Sequence, residues 1–411
     1  MPAPRIGVLS TDVSDLADRI REMGGEPVPP ILPSARPKGG IALAREWVAD
    51  AAHISCSHER LDALLVADEE PEDLAGLVLA SLRLNLPTVA HPPPDASLFA
   101  ALAALGLAPL AADPAELVVE VAENDGARPR KLVEDFSLAN ALRAAYSLGA
   151  GPQTMVHLAA IARELGSLGF DQMLRILVPE TTLLAEPGSP WFEEHGVAGL
   201  LAHLGQTLHE TWTVEGGLRE VLPSAPPAPP TSDESRLIFV RGRASGTEAL
   251  CRVTASDEEI TGECRVHYSE DSAARAVEGG SIAPGSLLVV GGCGPRGAPG
   301  LSRLDRLAEA LRESGLEGSI PVMTDGLPPR ETRETWISLV SPEAARESVI
   351  GRLRSGDSLR MDLLEGRIRT GVKAGELEGR KPYELPRPTG ASYAARYARS
   401  ALPALEGAGF G

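Results

Sequence analysis

The residues best suited to chemistry lie between positions 287 and 345. The short apolar run 287–290 has the length and composition of a buried strand. It gives way to a loop with glycines at Gly291, Gly292, Gly294, Gly297 and Gly300 and prolines at Pro295 and Pro299. With no Cβ in the way, backbone N–H groups of such a loop can approach a ligand closely. A second apolar strand, 320–323, ends at Thr324-Asp325-Gly326, a turn that puts polar groups at a strand exit. Two exits of this kind form one side of a small-molecule site; the same pattern also fits two ordinary tight turns. Cys293 adds a candidate nucleophile, since a thiol close to Arg296 and surrounded by backbone donors is expected to have a lowered pKa. Its plainer reading is a small residue tolerated in a tight loop. Further up the chain, Glu69, Glu70, Glu72 and Asp73 offer carboxylates for Mg²⁺. They also suit a solvated acidic loop at a helix N-terminus, where the dipole favours negative charge.

Those strand exits need a frame. Strands are expected at 5–9, 62–67 and 85–90, alternating with helices at 13–23, 42–55 and 73–84. Gly24-Gly25 provides a helix stop, and 27–37 reads as a Pro-rich turn. This alternation predicts a parallel α/β sheet. Residues 132–166 carry two helical patterns split by Gly149-Ala150-Gly151-Pro152. His157 lies on an apolar stretch of the second and is expected to be a structural core residue. The Pro-rich segment 222–234 reads as an extended linker. Beyond it the pattern changes to short strands at 237–240, 249–253, 287–290, 320–323, 337–340 and 358–363, as in a β-rich domain with a few helices. The expected organisation is an N-terminal parallel α/β/α domain (1–221), the linker (222–234) and a C-terminal β-rich domain (235–411).

Composition excludes several functions. The formal net charge is −18 and basic residues form no runs, which argues against a nucleic-acid surface. Aromatics make up 4%, too few for a base-stacking platform. No apolar run reaches the length of a membrane span, and the opening MPAPRIGVLS has no secretory apolar core, so a cytoplasmic protein without membrane affinity is expected. Cys56, Cys251, Cys264 and Cys293 are far apart. They match no local metal motif, and a disulfide framework is not expected.

The stretch from 287 to 345 resembles the C-terminal signature of the dihydroxy-acid and phosphogluconate dehydratase family. That signature is G-P-K-G-x-P-G-M-P-E-M, then T-D-G-R-F-S-G, then H-V-S-P-E-A. The counterparts are Gly294-Pro295-Arg296-Gly297-Ala298-Pro299-Gly300-Leu301, then Thr324-Asp325-Gly326, then Leu339-Val340-Ser341-Pro342-Glu343-Ala344. The resemblance extends to Ala44-Arg45-Glu46-Trp47-Val48-Ala49-Asp50, to Arg83-Leu84-Asn85-Leu86-Pro87, to the NALRAAYSLGAGPQTMVHLAAIA segment that holds His157, and to the closing Tyr393-Ala394-Ala395-Arg396-Tyr397-Ala398-Arg399. It implies a second domain built as a β-barrel, a homodimer, a [2Fe–2S] cluster, magnesium, and a serine base.

The departures fall on the implied chemistry. Where the family places C-D-K, this chain has Glu70-Pro71-Glu72. At the other two cluster-cysteine positions it has Ser10-Thr11-Asp12-Val13 and Ala90-His91-Pro92-Pro93-Pro94-Asp95. The family's acidic magnesium ligand aligns with Arg303 and its serine base with Pro329. Glutamate cannot replace soft thiolates in a stable [2Fe–2S] site, so neither cluster nor magnesium is expected, and the family's dehydration is not expected either. Three readings stay open: a protein that binds or converts a small hydroxy-acid-like anion without metal, a non-catalytic partner of another chain in a hetero-oligomer, and a magnesium site rebuilt from Glu70, Glu72 and Asp73. For the first, Gly294, Arg296, Arg303, Thr324, Asp325 and Arg330, with Arg333 nearby, are the expected ligand-binding residues, because guanidinium groups offer a planar fork to a carboxylate.

Overall fold

The computed structural model describes residues 2–10, 14–29, 32, 37–167, 169–229, 236–242, 246–253, 259–330, 335–346, 348–386 and 388–411. Parts of the expected linker (230–234), of the Pro-rich turn and of the Ser10-Thr11-Asp12-Val13 segment, as well as Arg333, lie outside the described residues. The chain divides into two compact units. One comprises Met1–Arg36, Ala44–Ala150 and His157–Ser232; the other comprises Pro37–Leu43, Gly151–Val156 and Asp233–Gly411.

The first unit is built on a four-stranded, all-parallel sheet of β1 (Arg5–Ser10), β2 (Glu26–Val28), β3 (Ala63–Ala67) and β4 (Thr88–Ala90), in the order β2-β1-β3-β4. Every residue of β3 is buried, as its uninterrupted apolar run requires of a central parallel strand. β2 corrects the expected Pro-rich turn. Pro27 sits in this strand opposite Ile6, and an edge strand tolerates a residue with no N–H to donate. The helices are α1 (Ser14–Glu22), α2 (Ile41–Ser57), α3 (Pro71–Leu84), α4 (Ala96–Ala104), α5 (Pro114–Glu120), α6 (Pro129–Leu132), α7 (Asp135–Ser147), α8 (Pro152–Leu165), α9 (Phe170–Glu180), α10 (Pro190–Leu204) and α11 (Leu218–Val221). Local chemistry sets their ends. α3 opens on Pro71, where a missing N–H costs nothing, and closes at Asn85 in the left-handed region (φ 51°). The Asp95 carboxylate caps α4 by accepting from the Ser97 and Leu98 N–H groups, both at 3.0 Å. The first residues of α2 (41–43) and of α8 (152–156) fall in the second unit. A short hairpin, β5 (Trp212–Thr213) with β6 (Gly216–Gly217), also belongs to the first.

α2 and α3 carry a buried charge network. Arg45 is fully buried, and its guanidinium donates to Glu46 Oε1 at 2.9 Å through Nη2. Arg83 reaches Glu46 Oε2 at 3.4 Å, Asp50 at 2.9 Å and Glu164 at 3.1 Å. His157 is buried with its Nδ1 3.5 Å from Arg45 Nη1. A guanidinium can only donate, so this contact makes Nδ1 the acceptor.

The second unit is a closed eight-stranded barrel: β7 (Arg236–Gly242), β8 (Glu248–Val253), β9 (Glu259–His267), β10 (Ser286–Val290), β11 (Val322–Thr324), β12 (Trp336–Ser341), β13 (Ser358–Asp362) and β14 (Arg367–Thr370). The strands run around it as β10-β11-β12-β8-β7-β14-β13-β9. Parallel pairing links β9, β10, β11 and β12. Leu287 and Val289 of β10 fill the barrel interior, while Leu288 and Val290 pack outside it with α12 (Glu270–Glu278) and α13 (Asp305–Glu313). Burial on both faces explains why β10 reads as a continuous apolar run. Two helices, α14 (Ala374–Gly379) and α15 (Tyr393–Ser400), follow the last strand. Sequence patterning missed β9 and β14, because both alternate apolar residues with outward charges. In β9, Ile260 and Cys264 are interior while Glu259 and Glu263 flank them. In β14, Ile368 is interior between Arg367 and Arg369. No described helix is long and apolar enough to cross a membrane.

Candidate functional site

The expected site residues of the barrel unit gather where β10, β11 and β12 end. The loop after β10 folds back on itself, and two buried carboxylates hold it. Asp325, at the end of β11, accepts from the N–H groups of Cys293 (2.8 Å, Oδ1), Gly292 (3.1 Å, Oδ2) and Ala344 (2.8 Å, Oδ2). Glu343, after β12, accepts from the N–H groups of Arg296 (2.9 Å) and Gly297 (3.4 Å) through Oε2. Its Oε1 pairs with Arg346 Nε at 3.1 Å. Three strand exits are therefore stitched together by side chains that are almost wholly buried.

This corrects the role expected for the glycine loop. Its amides at 292, 293, 296 and 297 are taken by the protein's own carboxylates. The glycines make room for the chain itself: a Cβ on Gly294 would lie 2.6 Å from Glu343 Oε2, and one on Gly297 would lie 2.9 Å from the Gly292 backbone. Asp325 was expected to meet a ligand, yet its oxygens are occupied by three backbone donors. Burial raises its carboxyl from 3.8 to about 6, with the Glu343 carboxylate adding to the rise against the three N–H bonds. Thr324 is buried and its hydroxyl accepts from the Gly326 N–H at 2.9 Å.

Cys293 is also corrected. Its thiol is buried in the layer that packs α12 and α13 onto the barrel. Burial pushes it well above its ordinary value, and the carboxylates of Asp325 and Glu270 push the same way. A thiol held protonated is a poor nucleophile. Burial likewise pushes Cys56 to about 11 and Cys264 to about 12. We expect no reaction of the native protein with a thiol-specific disulfide reagent over minutes, and four thiols per chain once guanidinium has unfolded it.

Two of the arginines have acceptors within the chain. Arg296 Nε donates to the Ala401 carbonyl at 3.1 Å. Arg303 Nε donates to Asp305 at 2.7 Å and its Nη1 to Gln153 at 3.3 Å. Arg330 is exposed. Arg296 and Arg303 thus each have an acceptor within the chain. Sequence reasoning assigned no role to Glu343 or Glu270. Glu343 lay in the quoted Ser-Pro-Glu-Ala segment, an acidic residue at a strand exit. Glu270 begins α12, and its carboxylate accepts from the Leu307 N–H of α13 at 3.2 Å, a contact with no local sequence signal.

Among the described residues, the donors that either group implied by the resemblance would need are not assembled. Cys251 and Cys264 are in the barrel interior, Cys293 is in the layer outside it, and Cys56 is on α2 of the other unit. All four are buried and none is in a disulfide, whereas a [2Fe–2S] cluster needs thiolates converging on one place. Glu70, Glu72 and Asp73 differ in exposure, with Glu72 partly buried. Glu70 is exposed ahead of α3, while Asp73 is buried within its first turn. Among the described residues, no group of three or more His, Cys, Asp or Glu is assembled to hold a metal ion.

Residues 225–408 match the dihydroxy-acid/6-phosphogluconate dehydratase C-terminal family model. A dihydroxy-acid dehydratase of Geobacter metallireducens is 31% identical over 317 residues, covering 71% of this chain and 57% of that protein. One from Citrifermentans bemidjiense is 30% identical over 302 residues (68% and 55%), and one from Ignicoccus hospitalis is 30% identical over 318 residues (71% and 57%). With the parallel α/β sheet and the closed barrel, these matches place the chain in the dihydroxy-acid/6-phosphogluconate dehydratase family. It spans little more than half the length of these curated relatives.

Proposed function

We propose that this family member uses neither an iron–sulfur cluster nor magnesium, and that it binds or converts a small hydroxy-acid-like anion without a metal. The observation that carries the reading is the placement of the four cysteines: all buried, and divided among separate cores. The residues at the aligned metal positions point the same way, with Arg303 paired to Asp305 where the resemblance implies a carboxylate ligand. Dehydration as the family resemblance implies it then lacks its Lewis acids. In this reading the protein is a soluble cytoplasmic homodimer, with 222–234 linking domains 1–221 and 235–411.

A second reading, a non-catalytic partner of another protein, is favoured by one observation. Asp325, Glu343 and Cys293 serve the internal bracing of the strand exits, which leaves no base or nucleophile among them. Assay of the purified chain on 2,3-dihydroxy-acids and 6-phosphogluconate tests the shared core of both readings. The expected result is no turnover above a mock preparation, and turnover that an active-site substitution in this chain abolishes would refute it.

A further inference from the structure

The α/β unit holds a cavity of about 280 Å³ where α7, the end of α9 and the end of α10 meet. Arg143 and Ser147 line it from α7, one turn apart and so on the same helical face. Both bring an unsatisfied polar atom: Arg143 Nε and Ser147 Oγ are buried without a hydrogen-bond partner. Ser147 itself is 1% exposed. The segment after α9 is tied over this helix end by the Leu184 N–H, which donates to the Ser147 carbonyl at 2.8 Å. Thr182, Glu180 and Thr207 form an exposed rim and His203 is half-buried.

A buried guanidinium N–H and a buried hydroxyl without partners are costly, and a carboxylate with a neighbouring hydroxyl would satisfy both. The volume equals that of about nine liquid waters, which suits a ligand of roughly six to eight heavy atoms. The Glu180 carboxylate at the rim opposes a second negative charge. We propose that this cavity is a binding site for a small monoanionic hydroxy-carboxylate, with its carboxylate on Arg143 and its hydroxyl on Ser147. The site is formed wholly within the α/β unit and does not depend on the strand-exit residues of the barrel unit.

Calorimetric titration of the full chain with sodium glycerate tests this, with glyceramide and sodium sulfate as controls. The expected result is saturable binding of one glycerate per chain and much weaker binding of both controls. R143Q should weaken binding about ten- to hundred-fold, and S147A several-fold, as expected for removal of a charge-assisted bond and of a neutral one. If R143Q folds poorly, R143K keeps the charge but not the planar fork and should also weaken binding. No binding to the wild type, equal binding of sulfate, or affinity unchanged in R143K and S147A would overturn the assignment. R303A separates the two sites. Glycerate binding lost in R303A but kept in R143Q would overturn the cavity while leaving the metal-free reading intact. Binding kept in R303A and lost in R143Q supports the cavity.

Discussion

Asp325→Ala is expected to destabilise the barrel unit by roughly 3–9 kcal/mol, because it strands three buried main-chain donors at about 1–3 kcal/mol each. Those donors are the N–H groups of Gly292, Cys293 and Ala344. They tie the exits of β10 and β12 to that of β11, so the loss falls on the strand-exit loops together. Urea unfolding followed by fluorescence reads it, since Trp336 is buried in β12. A loss below about 1 kcal/mol would show that the loop stands without this carboxylate.

The same residue carries a pH signature. In the unfolded chain its carboxyl titrates near 3.8, whereas burial holds its proton to about 6 in the fold. Between these values the folded state binds more protons than the unfolded state. Its contribution to stability is therefore full below about 4 and is lost as pH rises through about 6. The size is roughly 3 kcal/mol, from two units at about 1.4 kcal/mol each. Unfolding midpoints measured between pH 4 and 7 should show this falling component in the wild type, and D325N should lack it.

Glu46→Ala is the second large effect, expected to cost roughly 3–5 kcal/mol, the range for removing one member of a buried ion pair. It leaves the fully buried Arg45 guanidinium without the carboxylate that meets it at 2.9 Å, and takes one of three carboxylates from Arg83. Replacing Arg45 by Met in the same chain should recover part of the loss, because the buried charge that Glu46 meets goes with it. No recovery would mean that Glu46 acts through Arg83 instead.

Both residues lie in segments whose sequence showed the frame but not the contacts. The apolar runs of β1, β3 and β10 were legible because these strands are buried on both faces. β9 was hidden by Glu259, Glu263 and Arg265 on its outer face, which halve its apolar signal. The glycine spacing after β10 coincides with close backbone approach inside the chain. What approaches there is Glu343, from the segment after β12, and nothing in local sequence records that pairing. Cys293 illustrates the same gap. Its neighbour Arg296 suggested a lowered pKa, but the fold turns that guanidinium to the Ala401 carbonyl and surrounds the sulfur with apolar side chains and carboxylates. The Arg143–Ser147 pair was invisible for a different reason. On sequence it is one polar pair on an amphipathic helix, and only the packing of α9 and α10 encloses it.

Iron and acid-labile sulfide content tests the metal-free reading most directly. The full chain, produced and purified anaerobically in iron-replete medium, is expected to be colourless, with well under one iron and one sulfide per chain. About two of each per chain, with a visible absorption band, is the stoichiometry of a [2Fe–2S] cluster and would contradict the account.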